Sequence, residues 1–429
     1  MPNRLVRWWL LSLALAAAPL AAQTPSITDK IGDLFRFGTC GQPLCLDGSI
    51  NAQNGHGEHF IPSAVAGNLQ VINFLTDAVA STGSNFPIGS TSGGATFRLV
   101  GGVPVKTSNS LGPIFAERAD NLGKGRFLMG AAVNFINYES MRGVPINNLL
   151  FNFTHQDVPP AGLGNPLREN DIIVVQVALS VSQVVTAYYI TYGLLSRLDL
   201  SVAVPVVHAS MEGSSTAQIM PFGTPAVHFF SGDSANPVLR AAATSFGSAS
   251  GLGDIDGRMK IGVTAAQKFS SSLMFDVRFP TGDAANLLGS GSYAARALAI
   301  FSSHFGNFNP HANVGYLFRE GDLNDEIVAN AGFDAILAPY ATMAIDVLSN
   351  WVLGTPFQVP PPVNYVAPYQ RTVIPTTVPN IHDHRIDASA GFKFKISQPT
   401  TLIVNALLPI RDGGVEPGVV WSGGVEFNF

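Results

Sequence analysis

Two groups of histidines stand close enough together in the sequence to suggest metal or nucleophilic chemistry. They are His382-Asp-His384 and His56-Gly-Glu-His59. On a strand, residues i and i+2 share a face, so His382 and His384 could hold one metal ion, although zinc sites use more ligands. A catalytic nucleophile needs a base and a third group that orients the base, and the sequence contains neither Gly-x-Ser-x-Gly nor His-Glu-x-x-His. We therefore predict no enzymatic activity and no cofactor, and retain His382 and His384 as metal-ligand candidates.

Charged residues that could contact a solute recur at every second position in several segments. From Asp254 to Ala265 the odd-numbered residues are apolar, whereas Asp254, Asp256, Arg258 and Lys260 occupy even positions. The same alternation appears in segments 272–281, 384–396 and 418–429. A period of two is that of a β-strand with one apolar and one polar face, so strands must position these charges.

The composition narrows the class of protein. Charged residues make up 12% of the 429 residues, whereas soluble domains carry about a quarter. A net charge of −5 leaves no basic excess that could hold nucleic acid. The uncharged run 172–196 is long enough for a transmembrane helix, but it is rich in Val, Ile, Thr and Tyr, and Gln and Ser interrupt it. We predict strands there instead.

The first 22 residues predict export. Arg4 and Arg7 precede an apolar run over residues 8–18, and small residues follow up to Ala22, which is the order of a secretory signal peptide. The chain has two cysteines, Cys40 and Cys45. In an oxidising compartment this spacing favours a small disulfide loop, whereas a zinc site would need further ligands. We predict cleavage after Ala22 and a disulfide between the two cysteines.

The connections between the predicted strands differ at the two ends of the sheet. Long loops alternate with tight turns, whereas a soluble β-sandwich has short turns at both ends. We therefore predict an all-β fold, a transmembrane antiparallel β-barrel of about 12 strands (10–14), located in the outer membrane. Segment 171–193 exceeds one membrane crossing and is expected to project on the long-loop side. The predicted strands are 125–138, 171–193, 198–210, 254–265, 271–281, 294–305, 311–319, 326–337, 341–351, 384–396, 400–410 and 418–429.

Residues 23–120 lack the alternation of the barrel region, 121–429. Ser26 is placed to cap a short helix that runs to about Arg36, and a second helix is predicted after Pro62. The apolar residues at helical spacing in the second helix are Val65, Leu69, Ile72, Leu75 and Val79. A segment this apolar needs a surface to pack against, and a barrel of this size leaves room inside. We predict that it enters the barrel or caps the periplasmic mouth as a plug.

Four short motifs resemble those of a known family. They are Tyr192-Gly-Leu-Leu-Ser-Arg-Leu-Asp199, Gly253-Asp-Ile-Asp-Gly257, Phe279-Pro-Thr-Gly-Asp283 and Pro310-His-Ala-Asn-Val-Gly-Tyr316. On these motifs, residues 120–429 resemble outer-membrane proteins of the phenol meta-degradation type, a group similar to the long-chain fatty-acid transporter barrels. The resemblance implies transport of small hydrophobic or aromatic molecules across the outer membrane. The last strand, which ends at Phe429, resembles the segment that the barrel-insertion machinery recognises.

With the apolar face towards lipid, the charged face lines the lumen. The lumen candidates are Asp254, Asp256, Arg258, Lys260, Asp276, Arg278, Asn330, Asp334, Asp346, Arg385, Asp387, Lys393 and Lys395. Acidic and basic residues are similar in number, so we predict no strong selection by ion charge. One hairpin register would set Asp256 opposite Arg278 and Arg258 opposite Asp276. Such pairs could stabilise the inner wall, anchor the plug or line a polar constriction.

Two functions fit these patterns. The first is an outer-membrane channel for small hydrophobic or aromatic solutes, narrowed or gated by the N-terminal segment. The second is a closed structural or adhesive barrel that acts through its long loops, notably 211–253 and 352–383. The partners expected for the channel are outer-membrane lipid, a small hydrophobic solute and the insertion machinery that would bind Phe429; nucleic acid is not among them.

Overall fold

The computed structural model describes residues 25–37, 70–79, 97–100, 103–106, 110–154 and 170–429, apart from gaps at 225, 227, 234, 267, 322, 356, 366–370 and 412. The predicted signal peptide and the predicted disulfide between Cys40 and Cys45 lie outside the described residues. So do His56, His59 and the first half of the second predicted helix.

Twelve antiparallel strands form a closed ring. Each is hydrogen-bonded to the next along the chain, and β12 pairs with β1, where Trp421 lies opposite Phe135. The strands are β1 Phe127–Met141, β2 Ile172–Leu195, β3 Leu198–Met220, β4 Ile255–Ala265, β5 Phe269–Phe279, β6 Ala294–Ser303, β7 Phe308–Arg319, β8 Glu326–Ala338, β9 Ala341–Val352, β10 Arg385–Lys395, β11 Thr400–Arg411 and β12 Val420–Asn428. Closure hides the strand edges that an open sheet would expose to lipid. The prediction of a twelve-stranded antiparallel barrel is confirmed.

The two faces of the ring have opposite polarity. On β5, Phe275 and Val277 are 42% and 40% exposed on the outer surface, whereas Asp276 and Arg278 between them are 5% and 7% exposed and face inwards. Because a bilayer core offers no hydrogen-bond partners, an apolar outer face and a polar interior are what a membrane-spanning barrel requires.

Four strands rise above the ring at the long-loop end and form what we call the upper sheet. β2 and β3 have 24 and 23 residues, and their upper halves pair with Leu149–Thr154 and Arg240–Leu252. Arg240–Leu252 runs down β3 and leads into β4 after an interruption at Gly253 and Asp254, where the Gly253 N–H donates to the Pro205 carbonyl at 2.8 Å. The long segment 171–193 therefore projects on the long-loop side, as expected.

The prediction that β3 ends at residue 210 and that 211–253 is a loop is wrong. Residues up to Met220 continue β3, and Arg240–Leu252 is a strand. Both segments are rich in Ser, Ala, Gly and Thr. Above the bilayer the outer face meets water, so the large apolar residues that mark the spanning strands are not needed there. The other long loop, 352–383, contains a short hairpin of Val363–Tyr365 and Arg371–Val373.

The first predicted helix is present and packs on the upper sheet. Helix α1, Ile27–Gly32, begins with a capping box: the Ser26 hydroxyl accepts from the Asp29 N–H at 3.1 Å, and the Asp29 carboxylate accepts from the Ser26 N–H at 2.9 Å. A 3-10 turn, Asp33–Phe35, follows. Leu34 in this turn is fully buried, and the Ser215 hydroxyl of β3 donates to its carbonyl at 2.5 Å.

A second helix over residues 70–79 completes a hydrophobic core at the same end. Its buried residues Val71, Ile72, Leu75 and Val79 join the core beneath the upper sheet. The Phe74 ring stacks on Phe357 of the long loop with the ring centres 4.7 Å apart. None of the helices in the described part of the chain is long and apolar enough to span a bilayer.

The helices lie at the opposite end of the barrel from the predicted periplasmic mouth. The Ile27 N–H donates to the Asn286 side chain at 3.2 Å, and Thr28 donates to the Ala285 carbonyl at 2.9 Å. Ala285 and Asn286 belong to the loop between β5 and β6 on the long-loop side. The upper sheet offers an apolar inner surface that the predicted strand 198–210, of thirteen residues, would not have, and the helices pack on this surface.

Residues 110–122, which we call the interior segment, cross the lumen before the chain enters β1. Their backbone N–H groups donate to inward-facing side chains around the ring. The bonds are Leu111 to Thr342 at 3.1 Å, Ala116 to Asp346 at 3.4 Å, Glu117 to Asn313 at 2.8 Å, Ala119 to Ser302 at 2.9 Å and Leu122 to Asp199 at 2.9 Å. Since this stretch is irregular, side-chain acceptors take the place of a backbone ladder.

Candidate functional site in the barrel lumen

A cavity of about 90 Å³ lies in the lumen between the interior segment and the inner faces of the strands. Five arginines and three acids line it: Arg258, Arg278, Arg296, Arg319, Arg385, Glu117, Asp276 and Asp387. Polar residues Asn313, Asn330 and Asn350 also contribute. The interior segment supplies Phe115 and Glu117, so it forms part of the cavity wall as well as crossing the lumen.

The β4–β5 hairpin has the register that the charge pattern indicated. Asp256 lies opposite Arg278, and Arg258 lies opposite Asp276. Asp256 contacts two arginines. Within β4, Arg258 Nε lies 2.8 Å from Asp256 Oδ1, and across the hairpin, Arg278 Nη2 of β5 lies 3.5 Å from Asp256 Oδ2. Arg296 of β6 extends the pattern, with its Nε 2.8 Å from Asp276 Oδ2. Sequence reasoning missed Arg296 because its neighbours, residues 294–300, are otherwise all apolar.

Glu117 of the interior segment enters this charge cluster. Its carboxylate oxygens lie 3.8 Å from Arg258 Nη1 and 3.8 Å from Lys260 Nζ. The Lys260 ammonium also donates to the Arg118 carbonyl at 3.3 Å. These groups are nearly fully buried, and removing one partner of a buried ion pair costs about 3–5 kcal/mol because the other charge stays uncompensated. The cluster therefore holds the interior segment to the barrel wall.

A second cluster holds the beginning of the interior segment. Asp334 accepts hydrogen bonds from the Ser110 hydroxyl and, at 2.9 Å, from the Asn309 amide. His311 Nε2 lies 2.7 Å from Asp346 Oδ1, and the other oxygen of Asp346 accepts from the interior segment. Asp334 and Asp346 are thus buried inside the barrel and contact the interior segment directly.

The remaining predicted residues are dispersed. Asp254 caps the β5–β6 loop by accepting from the backbone N–H groups of Gly282 at 3.0 Å and Ser290 at 2.7 Å. Lys393 pairs with Glu426 at 3.2 Å, and Lys395 is half-buried near the short-turn end. Arg385 and Asp387 pair at 3.4 Å and line the cavity. The structure brings together Asp256, Arg258, Lys260, Asp276 and Arg278, and it separates them from Asp254 and the two lysines of β10.

Sequence reasoning also missed an apolar patch inside the barrel. Five inward-facing aliphatic residues line the cavity: Leu298, Leu317, Val328, Leu348 and Leu407. They lie on strands β6, β7, β8, β9 and β11, and on β6 and β7 they share the inner face with Arg296 and Arg319. The signal that could have found them is a loss of alternation, because strands that are apolar on both faces must bury apolar groups inwards as well as towards lipid.

His382 and His384 lie just before β10, with their rings stacked 5.3 Å apart. His384 Nδ1 accepts a hydrogen bond from the Val352 N–H at 3.1 Å, which occupies one of its two nitrogens. Burial and the nearby Arg411 cation lower the pKa of His384. Among the described residues there is no group of three or more side chains placed to hold a metal ion. Metal binding by this pair stays a prediction.

A comparison with protein families gives one match. Residues 173–407 match the family described as "Putative MetA-pathway of phenol degradation", and this is more than half of the chain. The chain belongs to this family. The matched region runs from β2 into β11 and includes nearly every strand that lines the cavity. No curated protein matches the sequence.

Among solved structures, the chain is similar to an outer membrane channel from Pseudomonas putida F1, with 12% identity, a TM-score of 0.42, and coverage of 72% of this chain and 97% of that one. It is also similar to the CymD monoaromatic hydrocarbon channel at 8% identity and a TM-score of 0.35, covering 72% and 89%. A FadL homologue from Pseudomonas aeruginosa has 10% identity, a TM-score of 0.30, and coverage of 71% and 89%. These TM-scores lie below 0.5, so the family assignment rests on the sequence match alone.

The four sequence motifs that resemble this family have structural roles in the barrel. Gly193 approaches the chain just before β1 so closely that a Cβ would lie 1.8 Å from the Gly123 carbonyl oxygen, and only glycine fits there. Gly253 and Asp254 form the interruption where the upper sheet leads into the ring. In the motif that begins at Pro310, His311 binds Asp346. Two of the four motifs thus lie at junctions between elements, and a third supplies a buried polar pair inside the barrel.

Proposed function

We propose that the protein is an outer-membrane channel for small hydrophobic or aromatic solutes and that the interior segment narrows its lumen. The observation that carries this proposal is the cavity itself, which combines a patch of inward-facing aliphatic side chains with a ring of polar and charged groups. These aliphatic residues belong to hydrophobic clusters that include Ile114, Phe115 and Ala119 of the interior segment, so the cavity offers a solute an apolar surface beside the charged one. The chain belongs to a family whose description names phenol degradation, and phenol is aromatic. This description favours an aromatic solute.

The path through the barrel is obstructed at two levels. At the long-loop end, α1, the helix over 70–79 and the upper sheet close the mouth with a hydrophobic core. Below the cavity, the interior segment crosses the lumen through its bonds to Asn313, Ser302 and Asp199. We infer that a solute reaches the cavity when the upper core opens and leaves when the interior segment shifts. The interior segment can shift because its few hydrogen bonds to side chains break more easily than the continuous backbone hydrogen bonds between two strands.

Liposome swelling with the purified, reconstituted protein tests the proposal. The mature chain should admit small neutral solutes slowly, and a chain without residues 23–115 should admit them faster because both obstructions lose their anchors. Asn313→Ala, which removes two hydrogen bonds to Glu117 of 2.8 Å and 2.7 Å, should have the same effect on a smaller scale. Glu320→Gln, a change at an exposed loop residue, is the matched control.

The alternative is a closed structural or adhesive barrel that acts through its loops. In that case neither the deletion nor Asn313→Ala would change swelling beyond the Glu320→Gln control, although both proteins would migrate as folded barrels. That result would overturn the channel proposal. Recognition of the C-terminal strand by the insertion machinery is a separate proposal; Phe429 pairs with Phe127 through backbone bonds of 2.9 and 3.1 Å, and its side chain is 60% exposed.

A further inference from the structure

The arginines of the cavity are not equally neutralised. Arg258, Arg296 and Arg319 each have a carboxylate oxygen within 2.8 Å of a guanidinium nitrogen. Arg278 has a single ion pair among the described residues, at 3.5 Å, and its partner Asp256 already accepts from Arg258 at 2.8 Å. The Nε of Arg278 is buried and has no hydrogen-bond partner in the described part of the chain.

The two aspartates of the hairpin have closer cationic partners than Arg278. Asp256 contacts Arg258 and Asp276 contacts Arg296, both at 2.8 Å, whereas Arg278 contacts Asp256 at 3.5 Å. The side chain of Arg278 is 9% exposed, so little water compensates for the missing partner.

The neighbouring positions leave space at this guanidinium. In the row of residues that pair across the strands, Arg278 of β5 lies opposite Ala294 of β6, and Ala294 lies opposite Arg319 of β7. The small side chain of Ala294 separates two arginines that both line the cavity. On β7 the next inward residue after Arg319 is Leu317 of the aliphatic patch, which lies opposite Arg296 of β6, and Leu298 is the next inward residue of β6 after Arg296.

We propose that this part of the cavity is a subsite for organic anions in which a carboxylate binds Arg278 and an apolar body lies on the aliphatic patch. An uncharged hydrophobic molecule would leave the Arg278 guanidinium without an acceptor of its own, and a cation would be repelled by it. A carboxylate supplies the missing acceptors in the planar geometry that guanidinium binds best. The inference rests on the channel proposal and specifies its solute as a hydrophobic carboxylic acid in its ionised form.

Calorimetric titration of the detergent-purified mature chain tests this subsite with matched probes. Benzoate should bind at least about tenfold more tightly than benzamide, which has the same ring without the charge, and more tightly than acetate, which lacks the apolar body. Arg278→Gln should remove the preference for benzoate over benzamide. Arg278→Lys keeps the charge and should retain part of the preference, whereas Arg197→Gln at an exposed turn should leave it unchanged.

Two results would overturn the inference. One is equal binding of benzoate and benzamide to the mature chain, and the other is a benzoate preference that survives in Arg278→Gln. Binding of acetate as tight as that of benzoate would also contradict it, because the apolar patch would then contribute nothing. If benzoate and benzamide bind equally while the chain without residues 23–115 still swells liposomes, the channel proposal stands and only the anion subsite is wrong. Heat-modifiable gel migration of each variant confirms that the barrel is folded.

Discussion

The two halves of strand β3 have opposite polarity. In the lower half, Leu200 and Val202 face outwards and are exposed, while Asp199 on the inner face is buried. In the upper half the pattern is reversed: Glu212 faces outwards, and Met211 is buried inside. The reversal falls after Val206, which is 41% exposed, and it occurs without any break in the hydrogen-bonded ladder to β2.

This reversal identifies the level at which the surroundings of the barrel change. Below it, lipid selects large apolar residues for the outer face, and the lumen can hold buried ion pairs. Above it, water selects Ser, Thr and Glu for the outer face, and the inner face binds the helices in an ordinary hydrophobic core. The same strand therefore belongs to a membrane barrel at one end and to a soluble sheet at the other.

The largest effect is expected from removing an acid from the lower interior. Asp256→Ala leaves Arg258 and Arg278 without their shared carboxylate, and we expect a loss of about 3–5 kcal/mol in the free energy of unfolding. Denaturant titration of the bilayer-inserted barrel measures it. Glu139→Ala, at an exposed acid on β1, is the control and should change little.

The double variant Asp256→Ala with Arg278→Ala sharpens this test. Removing the cation together with the acid should recover part of the lost stability, since fewer buried charges remain uncompensated. If the single and double variants were equally unstable, the loss would reflect packing rather than charge. Buried ion pairs would then not be what stabilises the lower interior of the barrel.

A smaller effect distinguishes the outer faces of the two halves. Val202→Arg places a charge towards lipid and should cost about 2–4 kcal/mol if this position lies near the bilayer midplane. Ser214→Arg, on the outer face of the same strand in the upper sheet, should change the free energy of unfolding by less than about 0.5 kcal/mol. The same denaturant titration compares them, and equal losses at both positions would show that the reversal does not mark a membrane boundary.

The smallest effect concerns pH at the short-turn end. His304 Nε2 lies 3.3 Å from Asp120 Oδ2 of the interior segment, and this interaction raises the pKa of His304. Because the folded-state pKa is the higher one, the pair stabilises the fold fully below the unfolded value of about 6.5, and its contribution disappears as the pH rises through the folded value. The unchanged chain should lose some free energy of unfolding as the pH rises from mildly acidic to alkaline. In His304→Gln this loss should be smaller, by less than about 1 kcal/mol. An unchanged pH profile in His304→Gln would exclude this pair as an anchor.

Much of the lower half could be predicted from the sequence. Strands such as β4 and β5 alternate between large apolar and charged residues, so the pattern gives both their existence and the side that faces lipid. The pairing of Asp256 with Arg278 followed because opposite charges on adjacent strands favour one register.

The upper half could not be predicted in the same way. Residues 211–220 of β3 and the strand Arg240–Leu252 are rich in small residues, and the contacts that explain them come from far away in the chain. Gly213 is an example: a Cβ there would lie 2.7 Å from Leu34, so the glycine is needed only once the N-terminal turn is packed on β3. Nothing near Gly213 in the sequence indicates that partner, and for the same reason the position of the two helices was missed.

The most direct test of the account measures the surroundings of the outer face along β3. Single cysteines at Val202, Val206, Ser210 and Ser214, in a background with Cys40 and Cys45 replaced by serine, would carry a polarity-sensitive fluorophore in lipid vesicles. We expect blue-shifted emission, as in hydrocarbon, at 202 and 206 and water-like emission at 210 and 214. Water-like emission at all four positions, or hydrocarbon-like emission at 214, would contradict a membrane barrel that becomes a soluble sheet above residue 206.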